Sequence, residues 1–194
     1  MPGSIEVYFA TSNVHKFAEA RLILRGTDIA LRRLPSKGTE IQSDEVSEIA
    51  VTAASEAYTK HRRPLFVEDT MLSVQALNGF PGAYGSYVYR TLGPAGILRL
   101  LADEADRRAA FVSAVAFADG VGQPHVFLGR LDGSIAGETR GSGGFGFDKV
   151  FVPGGRSSTL AEMTMEEKCA ISHRSKAVRA FASWYLSSRR RQRL

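Results

Sequence analysis

Near its N-terminus the chain switches from an alternating pattern to a helical one across three polar residues, and few folds accommodate that switch. Ile5–Ala10 alternates and is rich in β-formers, Thr11-Ser12-Asn13 supplies cap residues, and 16–24 carries apolar residues at helical spacing. A strand therefore runs through a short polar loop into a helix. A second helix over 45–60 opens at Ser43 or Asp44, with acids in its first turn. A short apolar strand over 64–67 ends in Glu68-Asp69-Thr70. Residues 79–82 form a turn, and a third helix covers 94–102 with Pro94 near its start, where a missing N–H costs nothing.

The middle of the chain has a different character. Arg108–Ala118, 126–131 and 134–138 read as strands separated by Asp119-Gly120 and Asp132-Gly133, a hairpin meander. A glycine-rich stretch over 141–146 leads to a short strand over 149–152. Thr164 or Met165 can cap a turn around 166–168. The last helix, 172–186, is amphipathic, with Ala177, Val178, Phe181, Trp184 and Tyr185 on its apolar side. There is no internal repeat and no linker long enough to divide the chain. This order predicts one domain over 1–188 with a basic tail over 189–194. It is of the α/β class, with a long mixed sheet and a cleft between two lobes as the natural ligand site.

Composition excludes several classes. A chain of 194 residues buries roughly 70% of its unfolded surface, so it needs no disulfide or metal staple. The single cysteine, Cys169, rules out an internal disulfide and a Cys-rich zinc site, and is read as packing. No apolar run approaches transmembrane length, and the N-terminus lacks a secretory pattern, so no membrane partner and a cytoplasmic location are expected. The net charge of +5 hints at nucleic acid until it is located. Arg189, Arg190, Arg191 and Arg193 account for all but one unit of it, so it belongs to a tail and nucleic acid is not the expected partner.

Four places invite chemistry. Thr11-Ser12-Asn13-x-x-Lys16 sits at a strand-to-helix turn, where backbone N–H groups and the helix dipole suit phosphate. Glu68-Asp69 lies at a strand end, and Glu40 lies in a polar loop before the second helix. Carboxylates beside phosphate-binding groups are what Mg²⁺ requires. Gly141-Ser-Gly-Gly-Phe145-Gly146 matches a dinucleotide fingerprint only formally, because a strand and no helix follows it. It places Phe145, Phe147 and Asp148 where a flat base can stack and be held at its edge. Finally, Ser172 reads as an N-cap that sets His173 and Arg174 in a first helical turn beside Lys168. Three potential cations at a helix start are unfavourable unless an anion is to be met.

Taken in order, Thr11-Ser12-Asn13-x-x-Lys16, Glu68-Asp69-Thr70-x-Leu72, Gly79-x-Pro81-Gly82-x-Tyr84, Gly144-Phe145-Gly146-Phe147-Asp148 and Ser172-His173-Arg174 resemble the inosine/xanthosine triphosphate pyrophosphatase family, the Ham1-like nucleotide house-cleaning enzymes. The resemblance runs from about residue 5 to about residue 185. It implies an elongated α/β fold with a long mixed central sheet, two lobes and a cleft, in a homodimer. It also implies Mg²⁺-dependent hydrolysis of ITP, dITP and XTP to the monophosphate and pyrophosphate. By resemblance Thr11, Ser12, Asn13 and Lys16 hold the triphosphate, and Asp69 and Lys16 are catalytic. Asp69 and Glu40 are the metal carboxylates, Phe147 stacks on the base with Asp148 the acid after it, and Thr70 and Phe145 also bind substrate. Lys168, His173 and Arg174 reach the phosphate and the base edge.

Phe147, Lys149 and Cys169 stand where the family usually has Tyr or Trp, Pro, and Asn, which bears on base preference. Two other readings stay open on the sequence: a related pyrophosphatase with another nucleotide substrate, and a non-catalytic nucleotide- or nucleic-acid-binding protein.

Overall fold

The computed structural model describes residues 5–36, 38 and 41–191, without the side chain of Arg190. Its strands are β1 (Ile5–Ala10), β2 (Ile29–Leu34), β3 (Leu65–Val74), β4 (Pro81–Gly82), β5 (Arg108–Ala118), β6 (His125–Ile135) and β7 (Phe151–Pro153). They form one mixed sheet in the order β2-β1-β3-β5-β6-β7, with β4 against β3. β1 runs parallel to β2 and β3, and every later pairing is antiparallel. The helices are α1 (Val14–Ile23), α2 (Val46–His61), α3 (Gly85–Thr91), α4 (Gly93–Leu100), α5 (Met165–Ile171) and α6 (His173–Arg191). Among the described residues no helix is long and apolar enough to cross a membrane.

Alternation along the strands assigns the layers. Phe66, Val115 and Phe117 face one way and pack under α1 and α6, against Ala20, Ile23, Val178 and Phe181. Ala114, Ala116 and Met71 face the other way, under Val46, Ile49, Ala50 and Ala54 of α2. A further core gathers Leu72, Val74, Phe111, Ile135 and Phe151 with Val88 of α3 and Ile97 of α4. β3 and β5, paired from Leu65↔Ala118 to Val74↔Ala109, run through both cores and join two lobes. The expected α/β class and mixed sheet are therefore observed.

Several local expectations are corrected. β2 and α3 were not expected. β2 lies at the sheet edge, where Arg32 and Arg33 can stay in solvent while Ile29 packs inward, and these arginines hide the strand pattern. β3 does not end at Glu68-Asp69-Thr70 but continues through it to Val74, because the polar side chains find partners described below. Asp132-Gly133 is not a turn, and β6 runs through it. A Cβ at Gly133 would lie 2.2 Å from the Val152 carbonyl oxygen, so this glycine serves close strand packing. Residues 164–171 form a capped helix and not merely a turn, with Thr164 accepting from the Glu167 N–H. The last helix passes Leu186 and continues through Arg191, with Arg189 lying over the Tyr185 ring and donating to its hydroxyl at 3.1 Å. Residues 192–194 lie outside the described residues.

Candidate active site

The sheet itself opens the site. β1 reaches β3 only at Tyr8↔Leu65 and Phe9↔Phe66, and β4 takes up the same edge at Leu72 and Ser73. Between them, among the described residues, a stretch of β3 has no strand on that edge. Into this notch comes the loop from β1 to α1, and Lys16 Nζ donates to the exposed strand carbonyl of Glu68 at 3.1 Å. A cleft of about 540 Å³ opens here, lined by residues from both lobes.

The loop is self-capped. Asn13 Oδ1 accepts from the N–H groups of His15 (2.9 Å) and Lys16 (3.1 Å), and Thr11 Oγ1 accepts from the Asn13 N–H (3.1 Å). Those three amides are thus turned onto the loop's own side chains. The exposed Ser12 and the Lys16 ammonium still face the cleft.

On β3 the alternation splits the acids. The Glu68 side chain is fully buried, while that of Asp69 is 34% exposed at the cleft. Glu68 accepts from Ser113 Oγ and Thr70 Oγ1, both at 2.5 Å, and pairs with Lys16 Nζ at 3.0 Å and Arg174 Nε at 3.2 Å. Burial pushes its carboxyl up, but the Arg174 and Lys16 charges and the two hydroxyls outweigh it and hold it well below the usual carboxylate range. Asp69 accepts from the Thr70 N–H at 2.9 Å and lies 3.9 Å from Lys16 Nζ.

Two of the three groups at the junction of α5 and α6, Lys168 and Arg174, meet anions, but these are the protein's own. Ser172 caps α6 by accepting from the Ser175 N–H at 3.1 Å, as expected. Arg174 Nη1 lies 2.6 Å from Glu19, and Lys168 Nζ lies 2.6 Å from Glu19 and 2.5 Å from Asp148. The result is a ladder of alternating sign: Lys16, Glu68, Arg174, Glu19, Lys168, Asp148. Burial pushes the Asp148 carboxyl up against the pull of Lys168. His173 is not a cation at all. Burial, reinforced by Arg174, holds its imidazole well below its ordinary value. Its ring stacks on Phe111 at 4.5 Å, and its buried Nδ1 has no partner among the described residues.

The two candidate stacking rings part company. Phe147 is buried in the second core with Tyr89 edge-on at 5.7 Å, so it forms the cleft floor. Phe145 is half-buried in the cleft wall, its N–H held by Asp148 Oδ2 at 2.8 Å. Its ring meets Lys168 Nζ at 4.7 Å and Arg174 Cζ at 5.3 Å, and stacks with His15 at 5.3 Å and 19°. Gly144 has φ +65° and no room for a Cβ, which would sit 2.3 Å from Asp148 Oδ2. Cys169 is buried in the first core, and burial pushes its thiol up to about 11, which keeps it unreactive.

Thr11, Ser12, Asn13, Lys16, Asp69, Thr70, Phe145, Phe147, Asp148, Lys168, His173 and Arg174 thus all border one cleft. Glu40 lies outside the described residues. Among those described, no three His, Cys, Asp or Glu side chains converge as a metal site. Sequence reasoning missed Glu19, Ser113 and His15. The signals were there: Glu19 is an acid between two alanines one turn after Lys16, and Ser113 is the lone hydroxyl in the apolar run of β5.

The fold and the cleft define a two-lobed α/β protein that gathers a lysine, two acids and an aromatic platform at an open strand edge. The Ham1 family model matches residues 7–184, and the chain belongs to the Ham1 family. A dITP/XTP pyrophosphatase from Methanopyrus kandleri is 46% identical over 181 residues, covering 93% of this chain and 96% of that protein. A dITP/XTP pyrophosphatase from Thermococcus kodakarensis is 48% identical over 176 residues, covering 91% and 95%. Among solved structures, the Staphylococcus aureus Ham1 protein matches with a TM-score of 0.82 at 26% identity, over 95% of this chain and all of that one.

Proposed function

We propose that this protein is a nucleoside-triphosphate pyrophosphatase that hydrolyses non-standard purine nucleotides (dITP, XTP and ITP) to the monophosphate and pyrophosphate. The observation that carries this reading is Lys16 held between Glu68 and Asp69 at the open edge of β3, inside a cleft of about 540 Å³. The two relatives named above, similar over nearly their whole length, support the same chemistry.

Lys16 sits where a triphosphate would enter, and Glu68 fixes its ammonium from below. Asp69, half-exposed, is the acceptor for the proton of an attacking water. Water oxygen bonds to the α-phosphorus, the bond to the bridging oxygen breaks, and pyrophosphate leaves with that electron pair. Positioning and charge stabilisation dominate such transfers, and Lys16 supplies both.

Mg²⁺ suits this donor set, since it takes one or two carboxylates together with substrate phosphates and waters. Asp69 would hold it, with Glu40 as the second carboxylate. When bound, it supplies positive charge to the phosphate oxygens.

At the base end, Phe145 is the accessible stacking ring and Phe147 the floor. The unpartnered Nδ1 of His173 gains a partner from a purine edge, and a buried polar atom left unpaired costs about 1–3 kcal/mol. A 6-oxo purine offers an acceptor where adenine offers an amino group, so adenine is disfavoured by an edge mismatch.

A homodimer in the cytoplasm completes the proposal. Val126 and Leu128 on β6 are exposed apolar surface that a second copy would cover.

Pyrophosphate release from dITP, XTP, ITP, GTP, ATP and UTP, with Mg²⁺ and with EDTA, tests the reading. Metal-dependent release from the first three with little from ATP is expected. Release from none of them would overturn it.

A further inference from the structure

His15 belongs to none of the groups assigned so far, yet it bridges the cleft. It stands in the first turn of α1, beside Lys16, on the side of the phosphate loop. Its imidazole stacks on Phe145, which belongs to the glycine-rich segment of the opposite wall, with ring centroids 5.3 Å apart and planes 19° from parallel. The two partners are held very differently. Phe145 is anchored by its N–H to Asp148, sits between Gly144 and Gly146 at positive φ, and packs beside Lys168 and Arg174. His15 is fixed at its backbone, where its N–H donates to Asn13, while its side chain is exposed. A near-parallel ring at this spacing is the arrangement a planar base adopts on an aromatic platform. The imidazole occupies that place on Phe145.

Resting on the nucleotide reading above, we propose that His15 covers the stacking face of Phe145 and is the group a purine base displaces on binding. Binding is then weakened by the free energy of the ring pair that must first be broken, as when only a fraction of molecules is competent to bind. His15 is thereby an affinity-setting residue for the base end of the substrate, and has no part in holding the phosphates. A ring pair of this kind changes an equilibrium by about two- to tenfold.

Calorimetric Kd values for XTP in EDTA, and for inorganic tripolyphosphate as a ligand without a base, test this. His15→Ala is expected to tighten XTP by about two- to tenfold, and His15→Trp, a stronger stacking ring, to weaken it. Tripolyphosphate binds wild type and both variants alike. An XTP affinity that is unchanged or weaker in His15→Ala overturns the proposal, as does a tripolyphosphate affinity that moves in step with that of XTP. Wild-type protein that binds tripolyphosphate and not XTP sinks the nucleotide reading itself. Wild type that binds XTP while both variants keep its Kd sinks the role of His15 alone.

Discussion

Asp69 and Glu68 are neighbours in sequence and opposites in environment, and the difference decides which of them can do chemistry. Glu68 is buried, accepts from two hydroxyls and is ion-paired with a lysine and an arginine, so it holds other groups in place. Asp69 keeps a third of its side chain open to the cleft. Asp69→Asn is therefore expected to lower kcat by about 10²–10⁴-fold, the usual worth of a positioned acid or base, while leaving the melting temperature within a degree or two. A variant with near-normal turnover would remove Asp69 from the reaction. His173 carries a separate, pH-linked prediction. Burial holds its folded pKa well below the ordinary imidazole value of about 6.5, so below that pH the unfolded chain takes up a proton that the folded protein refuses. Stability should fall as pH drops below about 6.5, by up to about 1.4 kcal/mol per unit from this group. Thermal melts between about pH 7.5 and about pH 5.5 should show a shallower fall in His173→Phe than in wild type. Equal slopes would contradict the buried neutral ring.

At the level of elements, α6 is the part that connects stability to the site, because it carries His173 and Arg174 and lies across β6. It packs tightly over Gly129, where a Cβ would sit 2.1 Å from the His173 carbonyl oxygen and 2.6 Å from the Ala177 nitrogen. Gly129→Ala must lift the start of α6, at a cost of about 1–3 kcal/mol by comparison with other overpacked sites. A fall in Tm of several degrees is expected together with reduced turnover, since the same helix turn positions the ladder. An unchanged melt would show that α6 has slack there. The legibility of the elements follows the same logic. The apolar stripes of α2 and of the body of α6 are readable because their signals are local, although α2 opens at Glu45 without the side-chain cap expected from Ser43 or Asp44. β2, the middle of β3 and the Asp132-Gly133 stretch of β6 are not. Their local signals are overridden by edge exposure, by partners from distant elements and by close strand packing respectively.

For the whole molecule, the two lobes share β3 and β5, so the cleft between them is anchored to a continuous pair of strands and not to a hinge linker. That rigidity suits a site whose acids and lysine must hold their spacing. The exposed Val126 and Leu128 predict that sedimentation velocity will find a dimer, and that Leu128→Glu will shift it toward monomer. A monomeric wild type at all concentrations would remove the homodimer from the proposal. What the sequence determined by itself is the α/β class, the strand–loop–helix around Thr11-Ser12-Asn13, the Glu68-Asp69 pair, the Ser172 cap and the order of motifs that marks the family, because each is written in residues close together along the chain. The tertiary structure decided the rest: which acid is buried and which is open, that Lys168 and Arg174 meet Glu19, Glu68 and Asp148, and that Phe145 stands in the cleft wall while Phe147 is its buried floor. Those outcomes depend on residues brought together from positions as far apart as 19 and 174. Burial and charge pairing act through space, and no local pattern records them.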